Sequence, residues 1–166
     1  MHASVAEFIR RQVAELDLAG RSTLEVASFA ESAAPAHCPT RACFTGAFVG
    51  VDRRAGPNVD HVAEAADLPF ADDAFQVVVC TEMLEHDDAP WRSLAEMRRV
   101  LAPGGTLLLT ARGFDERGCY PVHDHPVDYW RFSPTVVPVL LAAARFVGIT
   151  VEVDPEAPGF FAVAHV

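Results

Sequence analysis

The chain has 166 residues, 51% hydrophobic and 22% charged, a composition that supports a real core and excludes an intrinsically disordered chain. Its 23 acidic and 13 basic residues give a net charge of −10, which argues against a nucleic-acid partner, because phosphates call for a basic face. No apolar run approaches membrane-spanning length and no apolar leader opens the chain, so we expect one cytoplasmic domain over residues 1–166 with no membrane partner.

Val5, Phe8, Ile9, Val13 and Leu16 recur at helical spacing, with Gly20 placed to end the helix. Residues 23–28 (TLEVAS) predict a strand. The Ala-rich stretch 29–46 carries Pro35 and Pro39 and predicts a short helix or an irregular crossover. Residues 47–52 (AFVGVD) predict a second buried strand that ends in an acid. The next connection holds Gly56 and Pro57 and is too short for a crossover helix. Residues 61–65 predict a third, short strand, and 68–74, rich in Pro and Asp, a turn.

The chain is organised around residues 75–86 (FQVVVCTEMLEH). Phe75, Val77, Val78, Val79 and Cys80 form the near-continuous apolar run of a strand covered on both faces. Thr81 then leads into a polar, acid-rich helix start. Glu82, Glu85 and His86 stand at i, i+3 and i+4 and share one face if the segment is helical. The carboxyl edge of a parallel sheet is where ligands bind in such folds.

Asp88 and Pro90 predict the cap and first turn of the next helix, with Trp91, Leu94, Met97 and Leu101 as its apolar stripe and Arg98 and Arg99 at its carboxyl end. The turn Pro103-Gly104-Gly105 leads into a strand at 106–110 (TLLLT). Residues 111–131 form a long connection carrying charges, histidines and aromatics, and loops of this length are often functional. Ser133 and Pro134 predict a cap and first turn, and Val137, Leu140, Leu141 and Ala144 a helix that Gly148 breaks. Residues 149–153 and 160–166 predict an antiparallel hairpin. Strands alternating with helices, then a hairpin, predict an α/β fold: a mainly parallel seven-stranded sheet with some crossover helices missing. Cys38, Cys43, Cys80 and Cys119 form no C-x-x-C pair, which suits a reducing setting, and His37, Cys38 and Cys43 match no common structural zinc spacing.

Four blocks, LEVAS at 24–28, VGVD at 49–52, AEAADLPFADDAFQVVVCTEMLEH at 63–86 and RVLAPGGTLLLT at 99–110, resemble the class I S-adenosylmethionine-dependent methyltransferases, whose fold is Rossmann-like. The resemblance covers about residues 22–166. It implies an amino-terminal helix (1–20), a cofactor half (22–110), a lid loop (111–132) over the acceptor, and a carboxyl-terminal helix and hairpin (133–166). It implies that Asp52 holds the ribose hydroxyls of S-adenosylmethionine, that Glu64 and Ala65 meet the adenine, and that Thr81 and Glu82 flank the methionine portion. Glu25 stands where the family keeps an acid in its first motif. The glycine-rich turn after the first strand is replaced by Ala27, Ser28, Phe29 and Glu31, and no glycine occurs between Gly20 and Gly46.

The resemblance implies O-methylation of a small hydroxylated molecule, a sugar or other diol, with His86 or the loop histidines His123 and His125 as base. E-x-x-E-H also looks like the metal site of two O-methyltransferase groups, acting on quinone-precursor catechols and on RNA ribose. Glu82, Glu85 and His86, completed by His125 or His123, are then expected to bind magnesium, manganese or zinc. Acids in a helix's first turn are also favoured by the dipole alone. The partners expected are a small-molecule acceptor and no nucleic acid, with room for a homodimer. A non-catalytic, methyltransferase-like binding or assembly module is the second reading. A nicotinamide oxidoreductase is disfavoured by the lack of G-x-G-x-x-G.

Overall fold

The computed structural model describes residues 2–32, 39–114 and 128–166. In chain order the elements are α1 (Ala3–Glu15), β1 (Thr23–Val26), β2 (Phe48–Asp52), β3 (His61–Val62), β4 (Phe75–Thr81), α2 (Pro90–Val100), β5 (Leu101–Arg112), α3 (Val137–Ala143), β6 (Val147–Val153) and β7 (Gly159–His165). They form a seven-stranded sheet in the order β3-β2-β1-β4-β5-β7-β6. The first five strands run parallel, and β7 runs antiparallel to both β5 and β6. This is the mainly parallel seven-stranded sheet with a carboxyl-terminal antiparallel pair that the sequence predicts.

The sheet is covered on both faces, which is why β4 is apolar along almost its whole length. On one face Val5, Phe8, Ile9 and Val13 of α1 meet Val77, Val79, Leu108, Phe161 and Val163. Phe8 stacks on Phe161 with ring centroids 4.7 Å apart. On the other face Leu24, Val78, Cys80, Leu107 and Leu109 meet Leu94 and Met97 of α2 and Val137 and Leu141 of α3. The two-residue alternation along each strand divides these sets between the faces.

Among the described residues no α-helix joins β1 to β2, β2 to β3 or β3 to β4. Polar networks occupy those connections. Asn58 Nδ2 donates to Glu25 Oε2 at 2.7 Å and to the Ser28 carbonyl at 2.9 Å. Arg41 donates to Asn58 Oδ1 at 2.5 Å and to Asp60 Oδ2 at 2.6 Å, and the Gly50 N–H donates to the same Asp60 oxygen at 2.7 Å. A Cβ at residue 50 would lie 2.0 Å from the Asn58 carbonyl oxygen, so only glycine lets this loop lie on the sheet. Before β4, Arg99 donates to the carbonyls of Leu68 (3.0 Å) and Phe70 (2.8 Å) and to Asp72 (2.8 Å), and Glu96 accepts the Leu68 N–H. One guanidinium fork thereby satisfies the carbonyls of a turn that lacks a helix.

Several boundaries differ from the sequence expectation. Helix α1 stops at Glu15, before Gly20; Leu16 is exposed and Leu18 enters the core instead. Trp91 is 54% exposed and Leu101 opens β5, so neither belongs to the apolar stripe of α2. The cap of α2 is not Asp88: Ala89 is the cap residue, and Asp87 accepts from the Ala89 N–H (2.9 Å) and the Ser93 hydroxyl (2.5 Å). Residues 103–105 do not separate helix from strand but form an irregularity within β5, with Gly104 at φ 75°. The register with β4 jumps there, from Leu101 opposite Phe75 to Thr106 opposite Val77.

Candidate active site at the carboxyl edge of the sheet

The turn after β1 keeps the backbone shape of a glycine turn without glycine. Ala27 has φ 62°, in the left-handed region that costs a non-glycine residue about 1–2 kcal/mol. The Ser28 N–H then donates to the Val51 carbonyl at 3.0 Å. The Phe29 N–H donates to Asp52 Oδ2 at 3.2 Å. The Phe29 ring turns outward, beneath the Arg54 guanidinium at 4.1 Å and against Gly56, where a Cβ would come within 2.4 Å of the ring. Gly56 thus makes room for the side chain that replaces a glycine in the turn.

Asp52 closes β2 with its carboxylate held on both sides, because Oδ1 accepts the Arg54 N–H at 2.9 Å. Each carboxylate oxygen has two lone pairs, so acceptor capacity remains for hydroxyl groups. Glu25 is buried, with its carboxyl on Asn58; burial, offset by Thr40, Asn58 and Arg41, pushes it up to about 7. Its place is beneath the turn, as a support for the loop carrying Asn58. The Ser28 hydroxyl is buried with no hydrogen-bond partner among the described residues. Glu64 is exposed in the turn after β3, its carbonyl accepting the Asp67 N–H at 3.0 Å, with Ala65 beside it half-buried.

The ends of β4 and β5 carry the second cluster. Thr81 lies opposite Thr110 in the parallel register. Glu82 adopts φ 53°, and its N–H donates to the Thr110 carbonyl (3.0 Å) and hydroxyl (3.2 Å). The same hydroxyl donates to Glu82 Oε1 at 3.0 Å, while Arg112 Nε stands 2.5 Å from Glu82 Oε2. Glu85 is completely buried, and neither of its carboxyl oxygens has a hydrogen-bond partner among the described residues. Burial first, then the negative charge of Glu82, pushes its pKa up to about 8, so it is mostly protonated at neutral pH. His86 Nδ1 lies 3.3 Å from Asp128 Oδ1, and its Nε2 lies 3.9 Å from Glu85 Oε1. Asp128 in turn pairs with Arg131. The Glu85 carbonyl accepts the N–H groups of Tyr129 (2.8 Å) and Trp130 (3.2 Å), which brings the far end of the long connection to this edge.

This geometry corrects the helix expected to begin after Thr81. The strand runs into a left-handed residue at Glu82 and then a single 3₁₀ turn, Leu84–His86. The i, i+3, i+4 face that was to gather Glu82, Glu85 and His86 therefore does not form. Among the described residues no group of three or more His, Cys, Asp or Glu side chains is placed to hold a metal ion. The Arg112 guanidinium stands beside Glu82 and neutralises its charge. His123, His125, His37, Cys38 and the middle of the expected lid lie outside the described residues. On either side of the undescribed part of the expected lid (111–132), Arg112 pairs with Glu82 and Asp128 lies against His86. Trp130 is 40% exposed, whereas Phe132 is buried against Phe160. Arg112, Thr110, Asp128 and Asn58 were not singled out as site residues, because their partners are distant in sequence and no local spacing marks them.

A family model described as a methyltransferase domain matches residues 24–109. The chain belongs to this family. The fold is that of the class I S-adenosylmethionine-dependent methyltransferases. The methyltransferase-domain match spans β1 to β5, the half of the sheet that carries Ala27, Asp52 and Glu82. The demethylmenaquinone methyltransferase of Renibacterium salmoninarum is 39% identical over 67 residues, 40% of this chain and 28% of that protein. That of Clavibacter sepedonicus is 36% identical over 98 residues, 57% of this chain and 39% of that protein. The matches thus span well under half of these relatives' length. The 1,6-didemethyltoxoflavin-N1-methyltransferase of Burkholderia thailandensis, solved with 1,6-didemethyltoxoflavin and S-adenosylhomocysteine, superposes with a TM-score of 0.76 at 17% identity, over 98% of this chain and 78% of that one. An S-adenosylmethionine-dependent methyltransferase from Mesorhizobium loti superposes with a TM-score of 0.72 at 14% identity, over 99% of this chain and 98% of that one. At these identities the structural matches speak for the fold. Among the described residues no helix is long and apolar enough to cross a membrane.

Proposed function

We propose that the protein transfers a methyl group from S-adenosylmethionine to a hydroxyl oxygen of a small molecule. Membership of the methyltransferase-domain family supports the donor, and the His86–Asp128 pair at the carboxyl edge carries the choice of a protonated acceptor. The donor supplies an activated methyl on a sulfonium. The left-handed turn at Ala27 and Ser28 would take its amino-acid end, Asp52 its ribose hydroxyls, and Glu64 with Ala65 its adenine, while Thr81 and Glu82 border the methyl. Asp128 fixes the ring of His86 through Nδ1, and an imidazole nitrogen takes the hydroxyl proton as the oxygen–carbon bond forms and the carbon–sulfur bond breaks. Glu85, kept neutral by burial, adds no second full charge beside that ring. Glu82 is spent on Arg112 and Thr110, so we assign it to holding the edge together and not to a metal.

The test is calorimetric titration with S-adenosylmethionine, followed by mass spectrometry of hydroxylated acceptors incubated with protein and donor. One-site binding, and methylated product that is lost in His86→Ala, supports the proposal. Absence of binding at millimolar donor would leave a methyltransferase-like binding module instead.

A further inference from the structure

We infer that a cavity at the amino edge of the sheet, opposite the candidate active site, binds a small organic carboxylate. The cavity has a volume of about 250 Å³. Its polar lining includes Arg21, Gln76, Thr106 and His165. Leu16, Leu18, Ala102 and Pro103 supply apolar walls. Thr106 and Arg112 stand six residues apart on β5, roughly 20 Å at the rise of a strand, so the cavity and the Glu82–Arg112 pair lie at opposite ends of the sheet. Sites for drug-sized ligands run to roughly 300–1,000 Å³, so this one suits a smaller molecule.

The irregular pairing of β4 with β5 opens the cavity. One residue, Gln76, separates Phe75 from Val77 on β4, whereas residues 102–105 separate Leu101 from Thr106 on β5. The extra residues leave the ladder as a bulge and form one wall. A Cβ at residue 105 would lie 2.8 Å from the Ala102 carbonyl oxygen, so glycine lets the bulge fold back. The His165 ring, at the end of β7, is held by Thr106 Oγ1, 3.2 Å from its Nδ1. It lies beside Gly148, where a Cβ would come within 3.0 Å of its Cδ2. Leu16 follows the end of α1 and is left 38% exposed at the cavity, where the apolar body of a ligand would cover it.

The donors decide the charge of the ligand. Gln76 Oε1 accepts the Ser22 N–H at 3.3 Å, which fixes the amide and leaves its NH₂ group as a donor. The Gln76 backbone N–H is tied to the Ser22 carbonyl (2.9 Å) and hydroxyl (3.1 Å). The Arg21 backbone is anchored too, its N–H donating to the Leu18 carbonyl at 3.0 Å and its carbonyl accepting the Thr23 hydroxyl at 3.1 Å. Its guanidinium has no hydrogen bond or ion pair among the described residues. Among the described residues that line the cavity there is no Asp or Glu. Asp17, between Leu16 and Leu18 in sequence, is exposed and lies outside the lining, as does Val166, whose carbonyl accepts the Gly104 N–H at 3.1 Å. An unpaired guanidinium and an amide NH₂ on one concave surface match a carboxylate: the planar fork takes its two oxygens and the apolar walls take its body. In a chain of net charge −10, a single cation suits a monoanion better than a phosphate of nearly two charges.

The experiment titrates the whole protein by calorimetry with phenylacetate, its neutral counterpart phenylacetamide and inorganic phosphate, with and without saturating S-adenosylhomocysteine. We expect one phenylacetate site of submillimolar affinity, unchanged by S-adenosylhomocysteine, and binding of phenylacetamide and of phosphate weaker by about tenfold or more. Arg21→Ala should bind phenylacetate about tenfold more weakly. Gln76→Glu keeps an acceptor for the Ser22 N–H but sets a negative charge beside the ligand, and should abolish phenylacetate binding. Both side chains are exposed, so circular dichroism should be unchanged in the two variants. The inference is overturned by phenylacetate binding that is absent at millimolar concentration, unaltered in either variant, displaced by S-adenosylhomocysteine or matched by phenylacetamide. Phosphate bound as tightly as phenylacetate overturns it as well, leaving a site for inorganic anions.

Discussion

His86 and Asp128 face each other across the carboxyl edge of the sheet, Nδ1 to Oδ1 at 3.3 Å. The contact joins the turn after β4 to the end of the long connection after β5. Without it, nothing in the sequence of either segment fixes the imidazole ring. His86→Ala should lower kcat about a hundredfold or more, within the usual range for a general base. Asp128→Asn should lower it less, because the imidazole remains but loses the carboxylate that holds it. Steady-state rates of S-adenosylhomocysteine release from pH 5 to 9 measure both. A His86→Ala enzyme at full rate removes the residue from the chemistry.

Glu82 and Arg112 form a nearly buried pair, with side chains 17% and 7% exposed. Arg112→Met leaves the Glu82 charge uncompensated and should cost about 3 kcal/mol of stability. Combining Arg112→Met with Glu82→Gln should recover much of that loss, as urea denaturation of the four proteins in a double-mutant cycle would reveal. Because the pair is internally neutral, methyl transfer is expected to persist in EDTA; activity that disappears with the chelator and returns with magnesium would contradict this assignment.

Two buried carboxyls set the pH dependence of stability. Glu25 is pushed up to about 7 and Glu85 to about 8, both by burial. Between about pH 4.5 and those values the folded state binds more protons than the unfolded state, so stability falls as pH rises. The contribution is fully present below about pH 4.5 and is lost as pH passes through 7 and then 8. Each group contributes a slope of up to about 1.4 kcal/mol per pH unit. Thermal unfolding should therefore show Tm declining from pH 5 to pH 8, with a shallower decline in Glu85→Gln. A Tm that rises across this range would contradict the burial of both groups as neutral acids.

Ala27 holds φ 62° where a glycine would pay no steric cost. Ala27→Gly should stabilise the protein by roughly 0.5–1 kcal/mol, the relief of strain exceeding the added freedom of the unfolded chain. A lower Tm for the variant would mean that the methyl group packs usefully.

Much of the fold was legible in the chain. The apolar runs at 47–52, 75–80 and 106–110, the periodic helices and the terminal pair of strands predicted a mainly parallel seven-stranded sheet, and the sheet has seven strands of which only the terminal pair departs from parallel, while the order of the strands was not legible. The four motif blocks predicted the family, and the match at residues 24–109 covers them. These features are local: each strand and helix writes its burial into its own periodicity, and each motif into consecutive residues. The site was less legible. Spacing placed Glu82, Glu85 and His86 on one helical face, but the parallel register with β5 draws Glu82 onto Thr110 and Arg112, and the backbone turns left-handed there. Spacing also gave Trp91 to the core, whereas the end of the long connection brings Trp130 to it at the surface. The sequence by itself determined which residues are buried in strands and which family they compose. Only the tertiary structure decided that Glu82 meets a guanidinium, that Glu85 is neutral and that His86 is paired with Asp128, because charge, protonation and orientation depend on neighbours that chain folding, not chain order, brings within a few ångströms.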